Sequence, residues 1–276
     1  MNNEWARRAP QEAALPADYF TRPSPARTWN YLQGGKDNYA LDRHAAEVMA
    51  ANYPGMFHMA EQARHFLTRA VRHVATEGGV HQFLDLGCGL PAPPNLSNLH
   101  EVAQAVHPDA RVVYVDNDKV VLAHARALLT PVTEQGVCAY LDADVRDIEH
   151  ILTEASDTLD FRHPVSVSML GVLGAVPFDE ALRITASVRE AVPSGSYLLF
   201  DDGLDAGEAR RAGLKQYLGT GIGYYDIRTP EQMARFFAGF EMVEPGLVPV
   251  TQWRPAPVGA NAARPVEQYG AVARKP

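Results

Sequence analysis

Asp85 and Asp116, each placed at the end of an apolar run, are the residues with the clearest chemical use in this chain. Phe83-Leu84-Asp85-Leu86-Gly87-Cys88-Gly89 reads as a strand running into an acid and a glycine pair that lets a ligand approach the backbone. Arg111-Val112-Val113-Tyr114-Val115-Asp116 reads as a second buried strand, ending in a carboxylate suited to accept hydrogen bonds from ribose hydroxyls. Strand, Gly-rich turn, helix, strand and acid make one βαβ unit. Residues 136–141 read as a third strand, followed by Asp142, Asp144 and Asp147. In a doubly wound sheet Asp144 falls beside the other two acids, in reach of an adenine amino group; the plainer expectation is that these acids cap the next helix.

Two ligands compete for such a site. Gly87, Gly89 and Ala92 fit a G-x-G-x-x-A fingerprint, which places a dinucleotide pyrophosphate on the N-terminus of the next helix. Pro91, Pro93 and Pro94 instead hold the chain extended, and the first helix cap is Asn98 with Glu101 as its capping-box partner. A pyrophosphate would sit away from that helix end and close to the charge of Asp85. An ammonium would suit Asp85 well. S-adenosylmethionine has an ammonium and no phosphate, so it is the cofactor expected.

Composition narrows the rest. With 276 residues and 46% apolar content the chain can bury a full core. Its net charge is −8 and its basic residues are dispersed among acids, which argues against nucleic acid as a partner. No apolar run approaches the ~20 residues that span a bilayer, and Met1 to Arg8 leads into no signal-peptide core, so a cytoplasmic location away from membranes is expected. Cys88 and Cys138 are the only cysteines and read as reduced packing residues. None of the ten histidines shows metal-ligand spacing; His65 and His73 read as solvent-facing, and no metal is expected.

The elements that must position these residues follow in order. Residues 1–24 look irregular, broken by Pro10, Pro16 and Pro23. A helical turn, a Gly34-Gly35 stop and a polar-aromatic loop lead to Tyr39. Residues 41–51 and 59–75 then read as helices, the second with Met59, Ala63, Phe66, Leu67, Ala70, Val71 and Val74 on one face. Residues 1–80 thus form an N-terminal segment and helical cap, and residues 81–276 a binding domain with an insertion at 201–228. Residues 165–173 and 196–200 read as strands around a helix at 178–192, and residues 241–250 with 266–273 as a terminal antiparallel pair. The fold class is α/β, a Rossmann-like parallel sheet of about seven strands.

On these residues the chain resembles the class I S-adenosylmethionine-dependent methyltransferases, and within them an actinobacterial-type S-adenosyl methyltransferase family. The stretches that carry the resemblance are residues 24–43 (SPARTWNYLQGGKDNYALDR), 82–91 (QFLDLGCGLP), 98–104 (NLHEVAQ), 111–127, 142–147 (DADVRD) and 236–255, of which YLQGGKDN is the most specific. The resemblance implies a seven-stranded methyltransferase sheet with an N-terminal helical cap. It also implies a cofactor site drawn from Tyr31, Gly34, Asn38, Asp85, Gly87, Gly89, Asp116, Asn117, Asp144 and Val145. Two departures stand out: Leu173-Gly174-Ala175 where the family shows Leu-His-Phe, and Phe200-Asp201-Asp202 where it shows Ser-His.

The activity implied is in-line methyl transfer from a sulfonium to a small-molecule acceptor. Tyr31 and Tyr39 are expected at the sulfonium end. Asp201 and Asp202 are the candidate catalytic bases; strand alternation lets at most one face the pocket, and the competing expectation is that both are solvated turn acids. Residues 27–39 are expected to act as a lid hinged at Gly34-Gly35, and deletion of residues 1–57 to abolish cofactor binding while leaving the sheet folded. The competing functions are a non-catalytic S-adenosylmethionine-binding protein, a lyase or cyclase consuming S-adenosylmethionine, and an NAD-dependent oxidoreductase.

Overall fold

Short apolar strands alternating with amphipathic helices favour a parallel sheet with helices on both faces. The computed structural model of the chain, which describes residues 19–255 and 264–276, has this arrangement. The expectations for residues 1–18 lie outside the described residues. Five parallel strands, β1 (Gln82–Leu86), β2 (Arg111–Asp116), β3 (Val137–Asp142), β4 (Ser166–Leu170) and β5 (Tyr197–Gly203), lie in the order β3-β2-β1-β4-β5. Two short strands, β6 (Glu241–Met242) and β7 (Val248–Pro249), pair antiparallel with β8 (Gln268–Arg274), which itself runs antiparallel to β5. Eight strands result where about seven were expected, because the stretch 241–250 divides into two. Strand order reverses between β1 and β4, and the crevice at their carboxyl ends is where such sheets bind ligands.

Among the described residues, three helices, α1 (Pro25–Leu32), α2 (Ala40–Asn52) and α3 (Met56–Thr76), precede the sheet. The connections carry α4 (Leu99–Val106), α5 (Lys119–Leu128), α6 (Ile148–Ala155) and α7 (Phe178–Ala191), and α8 (Glu208–Leu218) and α9 (Pro230–Ala234) follow β5. Strand residues divide between two cores with period two. Phe83, Val112, Tyr114 and Leu199 pack with Phe66, Leu67 and Leu99 of α3 and α4. Leu84, Val113, Val115 and Phe200 pack with Ile151, Ile184 and Val188 of α6 and α7. The same alternation puts Asp85, Asp116, Asp201 and Gln268 on the α3 face and Asp202 on the opposite one.

All seven residues expected on the apolar face of α3 are buried. At about 1.5–3 kcal/mol for each large apolar side chain fully buried, this helix is part of the sheet's own core. Leu32 of α1 and Ala46 of α2 join the same cluster, so the expectation that residues 1–57 can be removed cleanly is not what this packing supports. The start of the chain is also fastened by charge. Arg27 Nε lies 2.8 Å from Asp42 Oδ2 with both side chains at most 3% exposed, and Asp42 accepts from the backbone N–H groups of Ser24 and Tyr39 as well.

Two strand ends differ from expectation for nameable reasons. The apolar run 165–173 leaves the sheet after Leu170, because Gly171 adopts φ +70° and Leu173–Ala175 forms a 3-10 turn. β5 instead runs past Phe200, since Asp201, Asp202 and Gly203 pair with Gly270, Tyr269 and Gln268. The insertion therefore starts after β5. Its helix α8 packs on α2 through Ala45, Tyr217 and Ile222, so cap and insertion together roof the carboxyl edge of the sheet. Among the described residues no helix is long and apolar enough to cross a membrane.

Candidate active site

The loop after β1 is bent by its glycines. Gly87 and Gly89 adopt φ +69° and +64°, and a Cβ on Gly87 would stand 2.5 Å from a methyl of Val172. The N–H groups of Gly87 and Cys88 donate to the Val115 carbonyl at 2.9 and 3.0 Å, and Gly89 N–H donates to Asp116 Oδ2 at 3.0 Å. The loop therefore folds over the end of β2. The prolines then keep the chain extended until α4 begins at Leu99, with the expected Asn98–Glu101 capping box in place. Arg64 of α3 braces this stretch by donating to the Ser97 carbonyl and to Asn98 Oδ1, both at 3.0 Å.

A cavity of about 380 Å³ opens at this edge, and Asp85, Gly87, Gly89, Asp116, Asn117, Asp144 and Val145 all line it. Asp85 accepts from Ser168 Oγ; burial pushes its carboxyl up to about 6, against the Ser168 hydrogen bond and the charge of Arg64. Burial also pushes Asp116 up to about 6, against the N–H groups of Asp118 and Gly89. Asp144 differs. Arg146 holds its carboxyl well below the usual range through bonds of 2.8 and 2.6 Å, and Asn117 Nδ2 donates to it at 3.0 Å.

Tyr31, Gly34 and Asn38, and with them Tyr39, stand outside this lining. The face of α1 toward the cavity carries Pro25, Ala26 and Trp29, with Gln33 just beyond the helix, which turns Tyr31 away to meet Glu47 and the edge of Phe57. Asn38 Nδ2 donates to Asn30 Oδ1 and to the Gly35 carbonyl, both at 3.0 Å, while Asn38 accepts from Arg43. Gly34 supplies the positive φ after α1, and a Cβ on Gly35 would collide with Asn30. The segment is a hydrogen-bonded lock. Asn38, expected at the cofactor, is here bonded within the segment.

At β5, Asp201 and Asp202 are 2% and 1% exposed, so neither is a solvated turn acid. Asp201 lines the cavity, Oδ1 accepts from Gln268 Nε2 at 2.6 Å, and Oδ2 has no partner. Burial pushes its carboxyl up to about 8; Gln268 opposes the rise and Asp202 adds to it. Asp202 points to the other face and accepts from the Tyr225 hydroxyl and from Gly203 N–H, with Oδ2 at 3.6 Å from Arg228 Nη1. Burial raises Asp202 too, opposed first by Tyr225 and then by Arg228.

Sequence reasoning passed over Trp29, Gln33, Arg64, Asp118, Tyr225 and Gln268, all of which line the cavity. Two carried a readable signal. Arg64 stands between Ala60 and Leu67 on the buried stripe of α3, where a charge needs a reason. Gln268 is polar at an inward position of β8, two and four residues before Gly270 and Val272.

The family model described as S-adenosyl methyltransferase matches residues 13–276. The chain belongs to that family. Among solved structures of this kind, a DUF574 family protein from Streptomyces avermitilis MA-4680 is 38% identical, with 93% of this chain and 98% of that one covered at a TM-score of 0.86. A protein from Thermobifida fusca YX described as a candidate methyltransferase is also 38% identical, with 94% and 97% covered at 0.83. The plantazolicin methyltransferase BpumL, at 10% identity and a TM-score of 0.52 over 91% of this chain and 95% of that one, shares the fold alone. Curated proteins give no match. As a member of the S-adenosyl methyltransferase family the chain is an S-adenosylmethionine-dependent methyltransferase with the class I fold.

Proposed function

We propose that the cavity holds S-adenosylmethionine across the carboxyl ends of β1, β2 and β3 and passes its methyl, by in-line displacement, to a small-molecule acceptor under the roof of α1, α2 and α8. When bound, the cofactor supplies an electrophilic methyl group on a cationic sulfur. The residues present fit it. Buried carboxylates at Asp85 and Asp116 call for hydrogen-bond donors and positive charge, and the space beside Gly89 is open, with no atom within 4 Å of a Cβ placed there. A diphosphate would meet those two acids without a helix N-terminus to offset them, since α4 starts only at Leu99.

In this reading Asp116 accepts from ribose hydroxyls, and Asn117, braced by Asp144, lies with Val145 at the adenine end. Asp85 takes the ammonium beside the Gly87 turn, and Arg64 stands close enough to Asp85 to receive the neighbouring carboxylate. Trp29, Met56, Met59 and Leu214 would exclude water from the transfer, and Asp201 would accept a proton where the acceptor must lose one. The observation that carries the reading is that the acids and glycines of three strand ends share one cavity whose remaining walls are largely apolar.

Calorimetry with S-adenosylhomocysteine and with NADH, followed by product analysis with methyl-labelled cofactor, tests it. Saturable binding of the first alone and formation of S-adenosylhomocysteine are the expected results. Methylthioadenosine as the product would indicate a lyase, and preference for NADH would refute the cofactor placement.

A further inference from the structure

Asp201 Oδ2 is a buried acceptor without a partner, on a residue that lines a cavity whose walls include Trp29, Met49, Met56, Met59, Tyr217 and Tyr225. A polar atom left in that state is costly, and a donor from a ligand would remove the cost. The Gln268 hydrogen bond to Oδ1 fixes the carboxyl so that the free oxygen keeps its direction. Asp202 cannot substitute, because it faces the other side of the sheet and is committed to Tyr225 and Arg228.

Resting on the methyl-transfer reading, we propose that the acceptor is an apolar molecule presenting a phenolic hydroxyl to Asp201 Oδ2, and that Asp201 takes the hydroxyl proton as the methyl moves. The acceptor oxygen forms a bond to the methyl carbon, the carbon–sulfur bond breaks with its electron pair staying on sulfur, and the proton passes to the carboxylate. The products are an aryl methyl ether, S-adenosylhomocysteine and protonated Asp201, which then returns its proton to solvent.

The choice of nucleophile follows from what each requires. A neutral amine brings its own lone pair and needs no base before the bond forms, and an ammonium would have to shed its hydration among methionines and aromatics. A hydroxyl oxygen is a weak nucleophile until its proton leaves. Phenols ionise near 10, and burial pushes Asp201 up to about 8, so proton transfer between them is close to balanced. The charged groups facing Asp201 are Arg64 from α3, which opposes the rise, and Asp202 beside it on β5, which adds to it; Gln268 from β8 is neutral.

The test uses the full-length protein loaded with S-adenosylhomocysteine, with 2-naphthol and 2-methoxynaphthalene as probes, the second carrying a methyl group in place of the hydroxyl proton. Above about pH 8, where Asp201 has released its proton, naphthol is expected to bind at least tenfold more tightly than its ether, and Asp201→Ala to abolish that difference while S-adenosylhomocysteine affinity stays within threefold. With methyl-labelled S-adenosylmethionine, Asp201→Asn should lower naphthol methylation by at least a hundredfold and remove the rise of rate with pH. Equal binding of the two probes, no binding of either, or tighter binding of 2-naphthylamine overturns the inference, and these comparisons need only the wild-type protein. S-adenosylhomocysteine binding is measured first, and its absence would instead overturn the reading beneath.

Discussion

Asp201→Asn should make the free protein more stable at pH 7, and increasingly so as pH rises. The carboxyl has an ordinary value of 3.8 and is pushed up to about 8 in the fold. At pH 7 the unfolded chain has therefore released a proton that the folded chain keeps. A raised folded value favours the folded state in acid; that contribution is fully present below 3.8 and is lost as pH climbs through about 8. By pH 7 the loss spans about three pH units at about 1.4 kcal/mol each, or about 4 kcal/mol. An amide undergoes no such loss. It keeps an oxygen for Gln268 but buries an NH₂ where Oδ2 stood, at a cost of about 1–3 kcal/mol. The net expectation is a gain of about 1–3 kcal/mol at pH 7 that becomes a loss of about 1–3 kcal/mol near pH 4, where only the cost of the buried NH₂ remains. For a chain of this size that is a rise in melting temperature of about 2–4 °C per kcal/mol, read by calorimetry or fluorescence from pH 4.5 to 9. A variant melting below the wild type by a constant margin across that range would refute a neutral buried carboxyl at this position.

The neighbouring substitution should behave in the opposite way. Asp202→Asn leaves Arg228 buried without its nearest carboxylate and should cost about 3–5 kcal/mol in chemical denaturation, so an unchanged midpoint would contradict the pairing. Gly87→Ala places a Cβ at φ +69° against Val172 and should cost about 1–3 kcal/mol with loss of S-adenosylhomocysteine binding; calorimetry showing normal affinity would remove the loop from the site. Asp116→Ala should weaken that binding by about 1.5–3 kcal/mol, partly because Gly89 N–H loses its acceptor. Cofactor affinity should be flat above pH 7 and fall below about 6, where Asp85 and Asp116 both take up protons; affinity constant down to pH 4.5 would exclude them as contacts.

What the sequence revealed tracks how local the determining forces are. The acids at the ends of β1 and β2 were legible because an apolar run and a carboxylate sit within a few residues, and the buried face of α3 because its period is intrinsic to the helix. The length of β5 was not, since Asp201 and Asp202 enter the sheet only through pairing with β8, which lies far along the chain. Their burial follows from that pairing, so both acids are raised, and Asp201, at about 8, stands above Asp85 and Asp116 on the cavity wall.

In the YLQGGKDN stretch a specific motif suggested ligand contact, and the structure shows internal hydrogen bonds beside a cavity-lining Gln33. Asn30 is the centre. Its Oδ1 accepts from Asp37 N–H and Asn38 Nδ2, its carbonyl accepts from Gly35 N–H, and Gly35 lacks a Cβ because Asn30 occupies that space. Asn30, Gly35, Asp37 and Asn38 are thus bonded to one another, at the end of a helix whose Trp29 and following Gln33 reach the cavity while Tyr31 does not. Ser24 Oγ, one residue before α1, then donates to Asp118 at 3.3 Å beside the Asp116 turn. The motif thus meets the site through Gln33 at the end of one helix, and a periodicity argument could place Trp29 and Tyr31 on different faces without saying which face looked inward.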